Sequence, residues 1–153
     1  MRLRLPADQV EALRRALRRS DTKEVGGQIF GEMVAPSDFR ATELTVQRRP
    51  GTFARFVVDL VQAGREAARF FHRTGHQYTR FNYIGEWHSH PSFAVRPSGT
   101  DVATMHALVG DREFQGSFAV LMVVRLDGDD VTCGAWLFDP GGREQAVTLT
   151  CEP

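Results

Sequence analysis

The stretch Phe81-Asn82-Tyr83-Ile84-Gly85-Glu86-Trp87-His88-Ser89-His90-Pro91 decides how the rest of the chain is read. Its aromatic residues suit a strand, and Pro91, which lacks a ladder donor, ends it. Side chains alternate between the faces of a strand, so His88 and His90 point the same way with their backbones roughly 7 Å apart. Both rings can then lean toward one ion, as half of a metal site.

Immediately downstream, Pro97-Ser98-Gly99-Thr100-Asp101 carries the signs of a helix start. Ser98-x-x-Asp101 is a capping-box-like pairing, in which a serine and an acidic residue three positions on satisfy the first backbone donors of a helix. The loop after His90 is long enough to bring that helix start back to the strand end. Asp101 then becomes the natural third ligand, and ligation is compatible with Ser98 capping the same turn.

Working outward, the segment 6–20, PADQVEALRRALRRS, reads as a helix with Val10, Leu13 and Leu17 on one face. Arg14, Arg15, Arg18 and Arg19 form a solvated basic face near its C-terminal end, where the helix dipole favours cations. EVGGQIFGEMV (24–34) reads as a strand whose glycines expect a close backbone or ligand. ATELTVQRR (41–49) and ARFVVDL (54–60) read as two strands around the turn RPGT, and 60–75 as a helix closed by Gly75. His72 and His76 are expected to meet the last carbonyls of that helix rather than a metal.

Beyond the Asp101 helix, GSFAVLMVVRL (116–126), VTCGAWLF (131–138) and REQAVTLTC (143–151) read as strands joined by the tight turns DGDD and DPGG. The first is apolar enough to be buried on both faces. Strands and helices interleave and then close on an antiparallel run. That order predicts an α/β fold with a single mixed β-sheet flanked by helices on both faces.

The chain has 153 residues, the size of one domain spanning 1–153, with no internal linker expected. Nineteen basic and nineteen acidic residues cancel, so charge predicts no attraction to nucleic acid or anionic lipid. Without a signal-peptide-like run or a membrane-length apolar stretch, the expectation is a cytoplasmic protein. The turn at 139–142 would set Cys133 opposite about position 148, too far from Cys151 for a disulfide, so two free thiols are expected.

His88-x-His90, then Ser98-x-x-Asp101, with EVGGQIFG upstream, resembles the JAMM (MPN-plus) zinc metalloprotease family, bacterial single-domain type. The resemblance extends from about position 24 to the strand after the Asp101 helix. It implies the JAMM/MPN core, a cytidine-deaminase-like sheet, and one Zn²⁺ per chain held by His88, His90 and Asp101. It also implies Glu24 as general base and Ser98 as the donor that stabilises an oxyanion. Those residue types suit those tasks. Glu86, which shares strand parity with both histidines, is the alternative base; the resemblance favours Glu24. His106 reads as structural.

Similar proteins hydrolyse peptide or isopeptide bonds after the C-terminal tail of ubiquitin-like or sulfur-carrier proteins. The expected partner is therefore a small modifier ending in Gly-Gly, held as an added strand at an exposed sheet edge. Phe93 and Val95 are candidates to border a narrow channel near the metal. The alternatives are a metal-free MPN-type scaffold subunit, which the intact ligand set argues against, and another zinc hydrolase on the same fold. A deaminase lacks support because no Pro-Cys-x-x-Cys pair is present.

Overall fold

A computed structural model describes residues 1–47 and 60–153. In chain order the elements are β1 (Arg2–Pro6), α1 (Ala7–Ser20), β2 (Gly26–Ala35), β3 (Asp38–Leu44) and α2 (Leu60–Arg73). They continue with β4 (Phe81–Ser89), α3 (Gly99–Gly110), β5 (Ala119–Asp127), β6 (Asp130–Phe138), β7 (Glu144–Ala146) and β8 (Thr148–Glu152). The strands form one mixed sheet in the order β7-β6-β5-β4-β2-β3-β1-β8. The strand expected over 54–60 lies outside the described residues, apart from Leu60, which opens α2.

The mixed α/β sheet with helices on both faces is the architecture that the element order predicted. α1 lies on one face, where Leu13, Ala16 and Leu17 join Val120, Met122 and Val124 of β5 in the main core. On the other face Met105 and Val109 of α3 pack against Ala119, Leu121 and Val123 of the same strand. β5 is thus buried on both sides, as its unbroken apolar run required. α2 covers the neighbouring part of this outer face, stacking Phe70 on Phe30 of β2 with centroids 4.7 Å apart.

Two expectations about the ends of the chain are corrected. Residues 2–6 form a strand that was not anticipated, pairing parallel to both β3 and β8. The single strand expected over 143–151 is split in two. β7 pairs with β6, whereas β8, beginning after the single intervening residue Val147, pairs with β1 at the opposite end of the sheet order. Val147 makes the transfer: its N–H donates to Ala135 O, and the next N–H donates to Met1 O. The sheet therefore curls round α1, which touches β1, β3, β5, β6 and β8. Cys133 and Cys151 stay unpaired thiols.

The glycines of β2 answer to neighbouring backbone. A Cβ on Gly27 would come within 2.0 Å of Thr45 O, and one on Gly31 within 2.3 Å of Arg40 O. The close approach at Gly27 lets Thr45 O accept the buried Trp87 Nε1–H at 2.8 Å. A bulge matters more for the site. Ile29 pairs with Gly85 and Phe30 with Tyr83, leaving Ile84 as an extra residue in β4. Ile84 and Trp87 consequently both reach the main core.

At the end of α2 the expectation for the histidines is met by the His76 backbone N–H, which donates to Phe71 O at 2.9 Å, rather than by a ring. Gly75 does close the helix with φ 63°. His76, however, bonds the Tyr78 hydroxyl through Nδ1 at 2.8 Å, and the His72 ring lies edge-on to His76. The final carbonyls are taken by backbone N–H groups and the Thr74 hydroxyl instead.

Candidate metal centre

β4 is an interior strand, antiparallel to β2 and parallel to β5, so its end is held from both sides. Its register sets His88 opposite Gly26 and Val123. One step further, Ser89 N–H donates to Val25 O at 2.8 Å, and the Ser89 hydroxyl accepts Val25 N–H at 3.0 Å. Ser89 is fully buried. Continuing that register by one residue brings Glu24, itself 6% exposed, opposite His90.

Asp101 arrives from the helix side. Ser98 caps α3 by accepting Asp101 N–H at 3.2 Å, and Asp101 Oδ2 accepts Ser98 N–H at 2.7 Å. This reciprocal capping box is the one read from the sequence. The same carboxylate also faces the histidines, Oδ1 at 3.5 Å from His88 Nε2 and Oδ2 at 3.4 Å from His90 Nε2. The two Nε2 atoms are 3.1 Å apart.

These spacings test whether an ion fits. Ligands about 2.0–2.1 Å from zinc at tetrahedral angles lie roughly 3.3 Å from one another. The observed 3.1, 3.5 and 3.4 Å bracket that edge length. The tautomer fits as well. His90 Nδ1 lies 3.0 Å from Ala94 O, a group that can only accept, so Nδ1 carries the proton and Nε2 presents its lone pair. Among the described residues, His88, His90 and Asp101 form the group of side chains able to hold a metal ion.

Electrostatics favours a cation at the same point. Burial raises the Asp101 carboxyl, but hydrogen bonds from His88, His90 and Ser98 outweigh it and hold the group far below the usual carboxylate range. The hydrogen bond to Asp101 raises His90 above its ordinary value against burial, with help from Ala94 O and the charge of Glu24. Glu86, opposite Gln28 one strand repeat deeper, has its carboxyl raised by burial, partly offset by His88 and the Tyr83 hydroxyl.

The loop between the ligands is braced from β5 and β6. Arg125 donates to Phe93 O at 3.1 Å, and Val95 O closes on Gly134, where a Cβ would meet it at 2.4 Å. Val95 packs partly against the outer-face core and also lines a small cavity beside Trp136 and Glu144. Phe93 is 53% exposed with its ring edge-on to His90, so it keeps its candidacy as a channel wall. His106 stacks edge-on against Phe138, in keeping with a structural role. Ser89 and Ala94 O were not singled out beforehand. Ser89 points away from its histidine neighbours, and Ala94 contributes a backbone carbonyl, which no residue type announces.

A curled mixed sheet with a His-x-His strand end facing a helix-borne aspartate defines a JAB/MPN-type domain with a candidate metal site. The model of prokaryotic homologs of the JAB domain matches residues 6–139, and the chain belongs to that family. The fold is similar to the solution structure of protein DSY2949 from Desulfitobacterium hafniense, with TM-score 0.69, 17% identity, and 98% of this chain and 92% of that one covered. It is also similar to a solution structure from Salinibacter ruber, with TM-score 0.58, 18% identity, and 99% and 92% covered. The crystal structure of AF2198, a JAB1/MPN domain protein from Archaeoglobus fulgidus, matches with TM-score 0.50 and 15% identity over 97% and 98% of the two chains. A sequence search of curated proteins finds no significant match.

Two outcomes follow. The purified protein should bind one divalent ion per chain, and His88→Ala, His90→Ala or Asp101→Asn should each lower its affinity at least about 100-fold, read by metal titration. Full occupancy in the doubly His-substituted protein would overturn the ligand assignment. The second outcome concerns pH in the metal-free protein. The depressed Asp101 contributes stability above its ordinary pKa of 3.8, and the raised His90 contributes below its ordinary 6.5. The wild-type advantage in Tm over Asp101→Asn should therefore be largest between those values. It should shrink as pH rises through the elevated His90 pKa.

Proposed function

We propose that this chain is a zinc-dependent metallopeptidase of the JAMM type, acting as an isopeptidase or peptidase after the C-terminal tail of a ubiquitin-like or sulfur-carrier protein. The observation that carries this reading is the buried Glu24 carboxylate set opposite His90 beside three donor atoms spaced for one tetrahedral ion. The reading takes residues 1–153 as one domain working in the cytoplasm, with no nucleic-acid or membrane partner. No described helix is long and apolar enough to cross a membrane.

When bound, zinc supplies a Lewis acid that polarises the scissile carbonyl and makes water acidic enough to ionise near neutrality. The protein's own groups do the rest. Glu24 takes a proton from the attacking water on a carboxylate oxygen and returns it to the departing amine nitrogen. Ser98 uses its oxygen to accept Asp101 N–H, which leaves the hydroxyl proton available to the developing oxyanion. Asp101, fixed by the cap, keeps both oxygens turned to the imidazoles.

Substrate selection follows from what surrounds the strand end. β4 is paired on both sides, so an extended tail finds no free ladder there. The free edge nearest the ligand loop is β7, whose Glu144 borders a cavity of about 420 Å³ together with residues 94–97 and Trp136. A tail held at that edge by main-chain hydrogen bonds would cross the loop toward Phe93. A side chain before the scissile bond would then meet a constriction, which favours Gly-Gly.

Glu24→Gln should retain zinc yet lose hydrolysis of a C-terminally extended modifier by several orders of magnitude. Ser98→Ala should retain zinc and lose roughly 10²-fold in kcat, the scale of one oxyanion donor. Full metal binding with no metal-dependent cleavage of any modifier encoded with this protein would favour the scaffold reading. Changing the residue before the scissile bond from Gly to Ala to Val should lower kcat/KM at each step. Efficient cleavage after Val would remove the constriction.

A further inference from the structure

The metal centre leaves unexplained a second concavity on the outer face of the sheet. A groove of about 810 Å³ runs between α2 and the segment after α3, over β2 and β4. That volume lies in the range of sites that enclose a small molecule or a long side chain. Phe71, Tyr83, Phe114 and Phe118 line it.

Two acceptors sit side by side on its floor. Gln28 and Glu86 are cross-strand partners of β2 and β4, and both line the groove. Gln28 Oε1 is buried without any hydrogen-bond partner. A buried acceptor without a donor destabilises a fold, and an apolar residue of similar size would avoid the cost. Glu86, which accepts from the Tyr83 hydroxyl, and Glu113, at the rim, form no ion pair with a lysine or arginine among the described residues. Arg80 is the cation that borders the groove, and it is committed to Glu32 at 2.6 Å and to the Phe81 ring. Among the described residues the groove thus offers two carboxylates, an orphan carbonyl and aromatic faces, and its lining cation, Arg80, is committed elsewhere.

We propose that this groove binds the side chain of a lysine or arginine from the protein substrate. The aliphatic stem would lie along the aromatic walls, and its terminal cation would donate to Gln28 Oε1 and Glu86. Glu86 precedes His88 by one strand repeat, about 7 Å. Given the peptidase reading, on which only this placement rests, the basic residue belongs close to the scissile bond. The substrate class is then a modifier or conjugate with a basic residue flanking the cleavage point.

The test is an NMR titration of the full, zinc-loaded chain with acetyl-Gly-Lys-Gly-amide. The norleucine peptide, which keeps the stem and lacks the ammonium, is the control. The lysine peptide should shift the Gln28 side-chain amide and the Ala67 methyl in a saturable way, and the norleucine peptide should bind about tenfold more weakly. Gln28→Leu and Glu86→Gln should each weaken lysine-peptide binding about fivefold while zinc content stays at one per chain. Gln28→Leu should leave Tm unchanged or raised, and Glu86→Gln carries the test should that variant fail to fold. Equal binding of the norleucine peptide, no saturable shift up to about 20 mM, or binding indifferent to both substitutions would overturn the proposal. Lysine binding without modifier hydrolysis would leave this site standing and remove the peptidase reading. Hydrolysis without lysine binding would do the reverse.

Discussion

Three donor atoms held 3.1 to 3.5 Å apart, two imidazole nitrogens and a carboxylate, are the constraint to which the surrounding structure answers. Two Nε2 lone pairs cannot face each other and a carboxylate without a proton or a cation between them. The chain keeps them there because each donor is fixed from a different direction. β4 is pinned between β2 and β5, His90 is anchored through Nδ1 to Ala94 O, and Asp101 is locked by its capping box with Ser98. Arg125 and Val95 fasten the loop between them to β5 and β6. Such outer contacts orient metal ligands and limit how far they relax when the ion is absent.

The capping box shows how one carboxylate serves folding and chemistry together. Asp101 Oδ2 accepts Ser98 N–H and still faces His90, because a carboxylate has lone pairs enough for both. The helix N-terminus adds a favourable field for that negative charge. Helix initiation and ligand orientation are therefore coupled. A substitution at Ser98 acts on the cap as well as on any oxyanion, so metal content and turnover must be read separately.

What was legible in the sequence was what local periodicity encodes. Alternation placed His88 and His90 on one face, the serine and aspartate three apart gave the α3 cap, and an unbroken apolar run gave β5 buried on both sides. What was not legible depends on distant chain. β1 is short, and although Leu3 and Leu5 alternate with arginines, its partners lie at β3 and β8. The break at Val147 is set by the sheet curling round α1, which no feature of 143–151 announces. The bulge at Ile84 likewise depends on β2, and it lets Ile84 and Trp87 share the main core.

The same cross-strand register bears on the choice between two glutamates that strand parity alone left open. Glu24 sits opposite His90, at the strand end faced by the exposed Ser98, Gly99 and Thr100. Glu86 sits one repeat deeper, opposite Gln28, with Tyr83 beside it and the groove on its far side. A base must reach the proton it moves, and a carboxylate about 7 Å back along the strand is poorly placed for that. Ser89 makes the difference durable: by taking Val25 N–H on its hydroxyl and giving its own N–H to Val25 O, it fixes the residue next to Glu24 to the strand that carries both histidines. The segment bearing Glu24 therefore cannot drift from the His88 and His90 strand end without breaking a buried pair of hydrogen bonds, whereas Glu86 is left to face the groove.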